Sequence, residues 1–326
     1  MIRILSRTDV REALSMAAAI EAVEAAFVQL SAGKAEMPVR ASLPVERHDG
    51  VTLFMPAYLE DDDRMAVKIV SVFSQNPERG LPLIHALVVV VDATTGAPAA
   101  VMEGGYLTAL RTGAASGAAT DLLAREDART AAIFGAGAQG RTQLEAVCAV
   151  RPIEAAWVYD LNPDQARAYA DEMAAQLGIV VEVAETPAEA LAEADVVCTA
   201  TTSSTPVFDD GDVRPGTHIN AVGAYTPEMQ EIPAATVLRA KVVIDELESS
   251  LAEAGDLIIP IEAGMMTEER IHAELGEIAA GQKVGRVSAD EVTLFKSVGV
   301  AVQDAAVAGA ILTEARRLDL GVEVEL

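Results

Sequence analysis

Apolar positions along this chain follow two grammars. Residues 15 to 34 place Ile20, Val23, Phe27 and Leu30 three or four apart, behind Ser15 as an N-cap and ahead of Gly33, which predicts an amphipathic helix. Short runs rich in Val and Ile follow at 51–55, 65–73, 83–92 and 97–102, separated by Pro, Asp and Gly. The last two are joined by Asp92-Ala-Thr-Thr-Gly96, a hairpin signal. The first third therefore predicts an antiparallel sheet with helices. From about residue 130, apolar runs at 130–134, 155–159, 180–183, 194–199, 218–222 and 242–245 alternate with helical stretches, the pattern of a parallel sheet with crossover helices. Residues 292 to 317, rich in Ala and Val, read as one long helix-like segment leading back to the first domain.

With 326 residues, two domains are expected. The fold class is α/β: a parallel-sheet domain over 121–300, and a discontinuous α+β domain over 1–120 completed by 301–326. No run of about 18 uncharged apolar residues is present and the N-terminus lacks a signal-peptide apolar region, so the expectation is a cytoplasmic protein without a membrane partner. The net charge of −26 disfavours nucleic acid. Cys148 and Cys198 sit in apolar runs as small buried thiols, and His48, His85, His218 and His272 show no ligand spacing, so no metal is expected.

The most informative motif is Gly135-Ala-Gly137-Ala138-Gln139-Gly140, directly after the apolar run 130–134 and directly before a helical stretch. The first glycine makes a tight turn, the second admits a pyrophosphate to the backbone, and the third allows helix and strand to pack. The helix N-terminus adds N–H donors and a positive dipole end. Asp160 stands at the end of the next strand, where a carboxylate accepts from a ribose diol and repels a 2′-phosphate. Residues 161–164 carry no cation, so NAD is favoured over NADP. Thr199, Thr201 and Thr202 follow another strand, where either cofactor contact or ordinary loop chemistry accounts for them.

Basic residues inside apolar stretches stand out in so acidic a chain. Lys68 lies within Met65-Ala-Val-Lys-Ile-Val-Ser-Val-Phe73, where strand alternation gives it apolar neighbours and both faces look buried, so its ammonium needs an anion or a ligand. Arg111 sits among small residues at an apparent helix start, suited to a bidentate grip on a carboxylate, and Arg40 is a third candidate.

Taken in order, Met37-Pro-Val-Arg40, Ala66-Val-Lys68, Asn76-Pro-Glu-Arg-Gly80, Thr94-Thr-Gly96, Leu107-Thr-Ala-Leu-Arg-Thr112, the glycine motif and Phe295-Lys-Ser-Val-Gly299 with Asp304 resemble the ornithine cyclodeaminase and mu-crystallin family over essentially the whole chain. The resemblance implies a Rossmann domain, a homodimer built through the other domain, and a substrate site in which Arg40 and Arg111 grip a carboxylate with Lys68 beside the reacting carbon. It also extends the cofactor side to Thr112, Val222, Gly223, Ser297 and Gly299. In the family's cyclodeaminases and some of its alanine dehydrogenases an aspartate follows the Gly-Ala after the run 218–222, whereas here Tyr225 stands there, and a phenol of reference pKa about 10 is no substitute base. The expected activity is therefore NADH-dependent reduction of a small 2-imino acid or cyclic ketimine of the pyrroline-2-carboxylate type. Alanine dehydrogenase, cyclodeaminase and non-catalytic ligand-binding readings are the alternatives.

Overall fold

Serine caps open the first two helices, the second of them where the hydrophobic spacing predicts it. In the computed structural model, which describes residues 1–325, strand β1 (Ile2–Leu5) leads to helices α1 (Arg7–Ala13) and α2 (Met16–Ser31). Ser6 and Asp9 satisfy each other's backbone N–H, and Ser15 accepts from Ala18 N. Strands β2 (Ala35–Glu36), β3 (Ala41–Val45), β4 (Gly50–Leu59), β5 (Arg64–Phe73), β6 (Ile84–Asp92) and β7 (Pro98–Glu103) follow, then helix α3 (Gly104–Leu123). The β6–β7 turn is the predicted hairpin: Asp92 accepts from Thr94 N and Thr95 N, and Gly96 has φ +74°.

The chain continues through β8 (Thr130–Phe134), α4 (Ala138–Val150), β9 (Ala155–Tyr159), α5 (Pro163–Leu177), β10 (Val180–Val183), α6 (Pro187–Leu191), β11 (Val196–Thr199) and β12 (His218–Ala221). It ends with α7 (Ala234–Arg239), β13 (Lys241–Ile244), α8 (Leu247–Glu253), α9 (Gly255–Glu262), β14 (Ile271–Glu274), α10 (Leu275–Ala279), β15 (Thr293–Lys296), α11 (Ala301–Leu318) and β16 (Val322–Val324). Among these described residues no single helix is long and apolar enough to cross a membrane.

Two units emerge, residues 1–111 with those from 300 onward, and residues 112–299. The first division falls inside α3, between Arg111 and Thr112, rather than after residue 120. In the first unit the sheet order is β16-β1-β7-β6-β5-β4-β2, with β3 beside β4. Its central strands are antiparallel, β1 runs parallel to β7, and α11 lies against α2, β4 and β5.

In the second unit the sheet is parallel throughout, in the order β10-β9-β8-β11-β12-β15-β13-β14. One face packs Ile133, Val158 and Cys198 against Leu144, Tyr169 and Met173; the other packs Phe134, Val197 and Ile219 against Val237 and Leu257. This is the doubly wound α/β arrangement, and the chain reverses direction across the sheet between β8 and β11.

Two expectations are corrected. Residues 292–317 are not one helix: Thr293–Lys296 is a fully buried strand between β12 and β13, and the helix starts only at Ala301. A strand of four residues buried on both faces inside a parallel sheet carries no period that separates it from helix. Arg111 lies well inside α3 rather than at its start, because Glu103 accepts from Gly105 N and Tyr106 N and opens the helix about two turns earlier than the small residues suggest.

Arg151, 8% exposed, closes the C-terminal end of α3 by donating to the carbonyls of Thr120, Asp121, Ala124 and Arg125. Arg151→Lys keeps the charge and loses the fork, so urea unfolding should show a loss of roughly 2 kcal/mol or more, the scale of buried carbonyls left without donors. An unchanged midpoint would show that water replaces the guanidinium at no cost.

Candidate active site

In the first unit β5 is flanked by β4 and β6, and Lys68 is in register with Met55 on one side and Val88 on the other. Its face is buried through Ala66 and Val70; the opposite face, with Val67 and Ile69, is half-buried, so only one of the two faces expected to be buried is so. The Lys68 side chain is 2% exposed, and its Nζ lies 2.8 Å from Asp304 Oδ2. Arg111 Nε lies 3.0 Å from the other oxygen, Asp304 Oδ1, and Arg111 Nη1 donates to Gln303 Oε1. Gln303 Oε1 also accepts from Val300 N, so one side chain closes the start of α11 and steadies the guanidinium. Asp304 sits in the first turn of α11, where the helix dipole favours a carboxylate.

This arrangement buries two cations on one carboxylate. Burial first, then the charges of Arg111 and Arg40, push the Lys68 ammonium down to about 7, against the opposing pull of Asp304. Arg40 thus contributes its field to the same site. The cluster carries one positive charge in excess, which a bound carboxylate would neutralise.

In the second unit Gly135 follows β8 with φ +99° and a Cβ there would meet Ala200 O at 2.6 Å, while a Cβ on Gly140 would meet Gly135 O at 2.1 Å. Gly137 is different: a Cβ added to it meets nothing within 4 Å. It is the N-cap of α4, no side chain caps the helix, and no acidic residue occupies the first turn formed by Ala138, Gln139 and Gly140. Space and uncapped N–H groups fit a pyrophosphate. Asp160 Oδ2 accepts from Ala136 N and Oδ1 from Asn162 N, each at 2.8 Å, so the carboxylate also shapes the glycine loop. Thr112, near that loop, accepts through its carbonyl from Gln143 Nε2.

The remaining candidates are held by buried carboxylates that sequence reasoning missed. Thr199 Oγ1 and Thr201 Oγ1 donate to Glu231, as does Gly223 N, and Val222 N donates to Thr199 O. Ser297 Oγ and Gly299 N donate to Asp245 Oδ2. The hydroxyl and N–H groups named here are thus already engaged within the protein. Glu231 and Asp245 read as ordinary acids in a chain with 50 of them, and only the partners they meet in the fold distinguish them; Asp304 stands in the family pattern but without a role.

A doubly wound sheet with an uncapped glycine loop, and a unit carrying a cation-rich buried cluster, define a dinucleotide-dependent enzyme of the Rossmann type. The chain belongs to the ornithine cyclodeaminase/mu-crystallin family, whose model matches residues 2–317. It is 40% identical over 323 residues to a Delta(1)-pyrroline-2-carboxylate reductase of Bacillus cereus, covering 99% of both chains. Among solved structures it is similar to the Delta(1)-pyrroline-2-carboxylate reductase of Thermococcus litoralis in complex with NADH and L-proline, with TM-score 0.96 and 48% identity over 99% of this chain and 100% of that one. An archaeal alanine dehydrogenase dimer with bound NAD matches at TM-score 0.93 and 37% identity, over 100% of this chain and 99% of that one.

The charge count at Lys68 has a consequence for stability. Because its pKa falls from 10.5 to about 7 on folding, the unfolded chain holds that proton more tightly, and the penalty, on the order of 5 kcal/mol, is complete below pH 7 and vanishes above about 10.5. Lys68→Met leaves Arg111 and Asp304 as a balanced pair, so at pH 6.5 its thermal midpoint should rise by roughly 2 °C or more. A midpoint several degrees lower would mean that the ammonium stabilises the fold.

Proposed function

We propose that the protein reduces Delta(1)-pyrroline-2-carboxylate, or a 2-imino acid of similar size, to the L-amino acid with NADH. The observation that carries this reading is the buried pair of Lys68 and Arg111 sharing the single carboxylate of Asp304. A substrate carboxylate completes the charge balance, and an ammonium with a pKa near neutrality stands ready to give a proton. The two pyrroline-2-carboxylate reductases, at 40% and 48% identity, support the same substrate class.

Bound NADH supplies the hydride to C2. Arg111 and Arg40 bind the substrate carboxylate and orient the C=N bond, Lys68 Nζ passes a proton to the imine nitrogen, and Asp304 keeps the ammonium in place between turnovers. The glycine loop and the N-terminus of α4 hold the pyrophosphate, and Asp160 takes the ribose. Selection of NADH over NADPH has a second support: Arg167, the nearest cation after Asp160 in the sequence, is paired with Asp164 at 2.8 Å.

Reduction of pyruvate with ammonia is the second reading, favoured by the alanine dehydrogenase match, since the imino acid formed in that reaction presents the same carboxylate and C=N group. Cyclodeamination is disfavoured by Tyr225, 40% exposed where the family's aspartate would stand. We also assign the protein to the cytoplasm, with its NADH pool, and to a homodimer formed through the first unit. In register across its sheet, Phe54, Ile69 and Leu87 form one half-exposed row, and Pro56, Val67, Val89 and Val101 a second, an apolar surface suited to a second copy.

Purified protein should oxidise NADH with pyrroline-2-carboxylate faster than with pyruvate plus ammonia, and faster than it oxidises NADPH. Ammonia release from ornithine without net NADH turnover would replace the reductase by a lyase.

The proton-donor role fixes the sign of a pH effect. Lys68→Ala should lower kcat by roughly 10²-fold. In Asp304→Asn the group that raises the Lys68 pKa is gone, so the alkaline fall in kcat/KM, near pH 7 in the parent, should move to lower pH. A limb that stays in place, or moves up, removes Lys68 from proton transfer.

A further inference from the structure

Glu231 lies between β12 and α7, fully buried, and its carboxylate gathers donors from two separate strand ends. Oε1 accepts from Thr201 N at 2.6 Å and Thr201 Oγ1 at 2.8 Å, just beyond β11. Oε2 accepts from Thr199 Oγ1 at 2.9 Å, and from Gly223 N at 2.7 Å and Ala224 N at 3.1 Å, just beyond β12. The approach is so close that a Cβ on Gly223 would meet Glu231 Oε1 and Thr201 O at 2.4 Å. A second layer fixes the carboxylate. Asp256 Oδ1 accepts from Glu231 N and Ile232 N, its Oδ2 lies 2.9 Å from Lys296 Nζ, and that ammonium donates to Ala224 O at 2.6 Å. Ala224 is therefore held through both its N–H and its carbonyl by buried charged side chains.

The position of this knot in the sheet gives it a meaning beyond stability. The glycine loop and Asp160 lie at the ends of β8 and β9, on one side of the chain reversal; β11 and β12 lie on the other. A doubly wound sheet binds the two nucleotide halves of its cofactor on the two sides of that reversal, outside the carboxyl ends of the strands. We propose that Glu231 is a positioning residue for the nicotinamide half of the cofactor: by tying the ends of β11 and β12 to one carboxylate, it sets the backbone against which the reacting ring is held. The adenosine half depends on other residues. This inference rests on the reading of the second unit as the NAD site.

The test compares NADH with ADP-ribose, which lacks the nicotinamide ring, by calorimetric titration of the full-length protein. Glu231→Gln replaces one acceptor oxygen by a donor facing N–H or O–H groups. It should weaken NADH roughly tenfold or more while leaving ADP-ribose within about twofold, and should lower kcat. Thr199→Val, nearly isosteric, removes a single donor to Glu231 and should shift NADH alone in the same direction by a smaller factor, which keeps the test decisive should Glu231→Gln fold poorly. Equal weakening of both ligands, or no change in either, overturns the positioning role while leaving the NAD site intact. If the parent protein binds neither ligand, the NAD reading itself fails and takes this inference with it.

Discussion

An ammonium on the buried face of a central β-strand must find its counter-charge inside the same unit, and here the chain has to come back for it. Lys68 is carried by a strand near the start, and its partner Asp304 by the first turn of the last helix. Between them the whole second unit is inserted. The discontinuity of the first unit is therefore chemical as well as topological. Without α11 the face formed by Met55, Ala66 and Val70 loses its apolar cover, and Lys68 and Arg111 lose the anion that makes their burial tolerable. Even with Asp304 the charges do not cancel, and that residual positive charge is what the proposed substrate carboxylate would neutralise.

The second unit solves a different problem with the same residue type. The ends of parallel strands present N–H groups that no neighbouring strand satisfies, in loops that must keep one shape. Glu231 takes those beyond β11 and β12, and Asp245 takes Ser297 Oγ, Val298 N and Gly299 N beyond β15. A carboxylate is well suited because it only accepts, with two oxygens and about four lone-pair directions, and so joins donors from separate loops. Burial and the nearby Asp256 raise the Glu231 carboxyl above its ordinary range, while Lys296 and the Thr201 donors oppose them. The knot costs desolvation and returns a single backbone conformation.

What was legible in the sequence follows from how local each signal is. The glycine motif, the Asp160 distance, the α2 helix and the β6–β7 hairpin are written in short windows, and each took its expected local form. The identity of Lys68 as unusual was also local, since an ammonium among Val, Ile and Ala violates strand patterning by itself. β15 was lost because a short strand buried on both faces has no exposed face to give it a period. Glu231 and Asp245 were lost for a non-local reason, and Asp304 was seen only as part of the family pattern, its role unread: a carboxylate becomes an acceptor hub only when Thr199, Gly223 or Ser297 arrive from elsewhere in the chain. Thr199 and Thr201 were found by their place after a strand, but that place does not reveal whether a hydroxyl faces a ligand or a neighbouring carboxylate.

The overall charge of −26 at first opposes the proposed chemistry, because NADH and an imino acid carboxylate are both anions. The two charge populations act over different ranges. Exposed acids in water are screened over about 8 Å at physiological ionic strength, so their repulsion weakens the approach of an anion and fades as salt is added. The excess positive charge of Lys68 and Arg111 lies in a low-dielectric interior, where screening ions do not enter and each ångström of geometry counts for more. On the proposed reading, capture of the carboxylate would depend on short-range complementarity at Arg111, Lys68 and Arg40, with long-range steering working against it. An acidic surface and the proposed anion-binding site are compatible in one chain because affinity would be generated where the surface field is weakest relative to the local one.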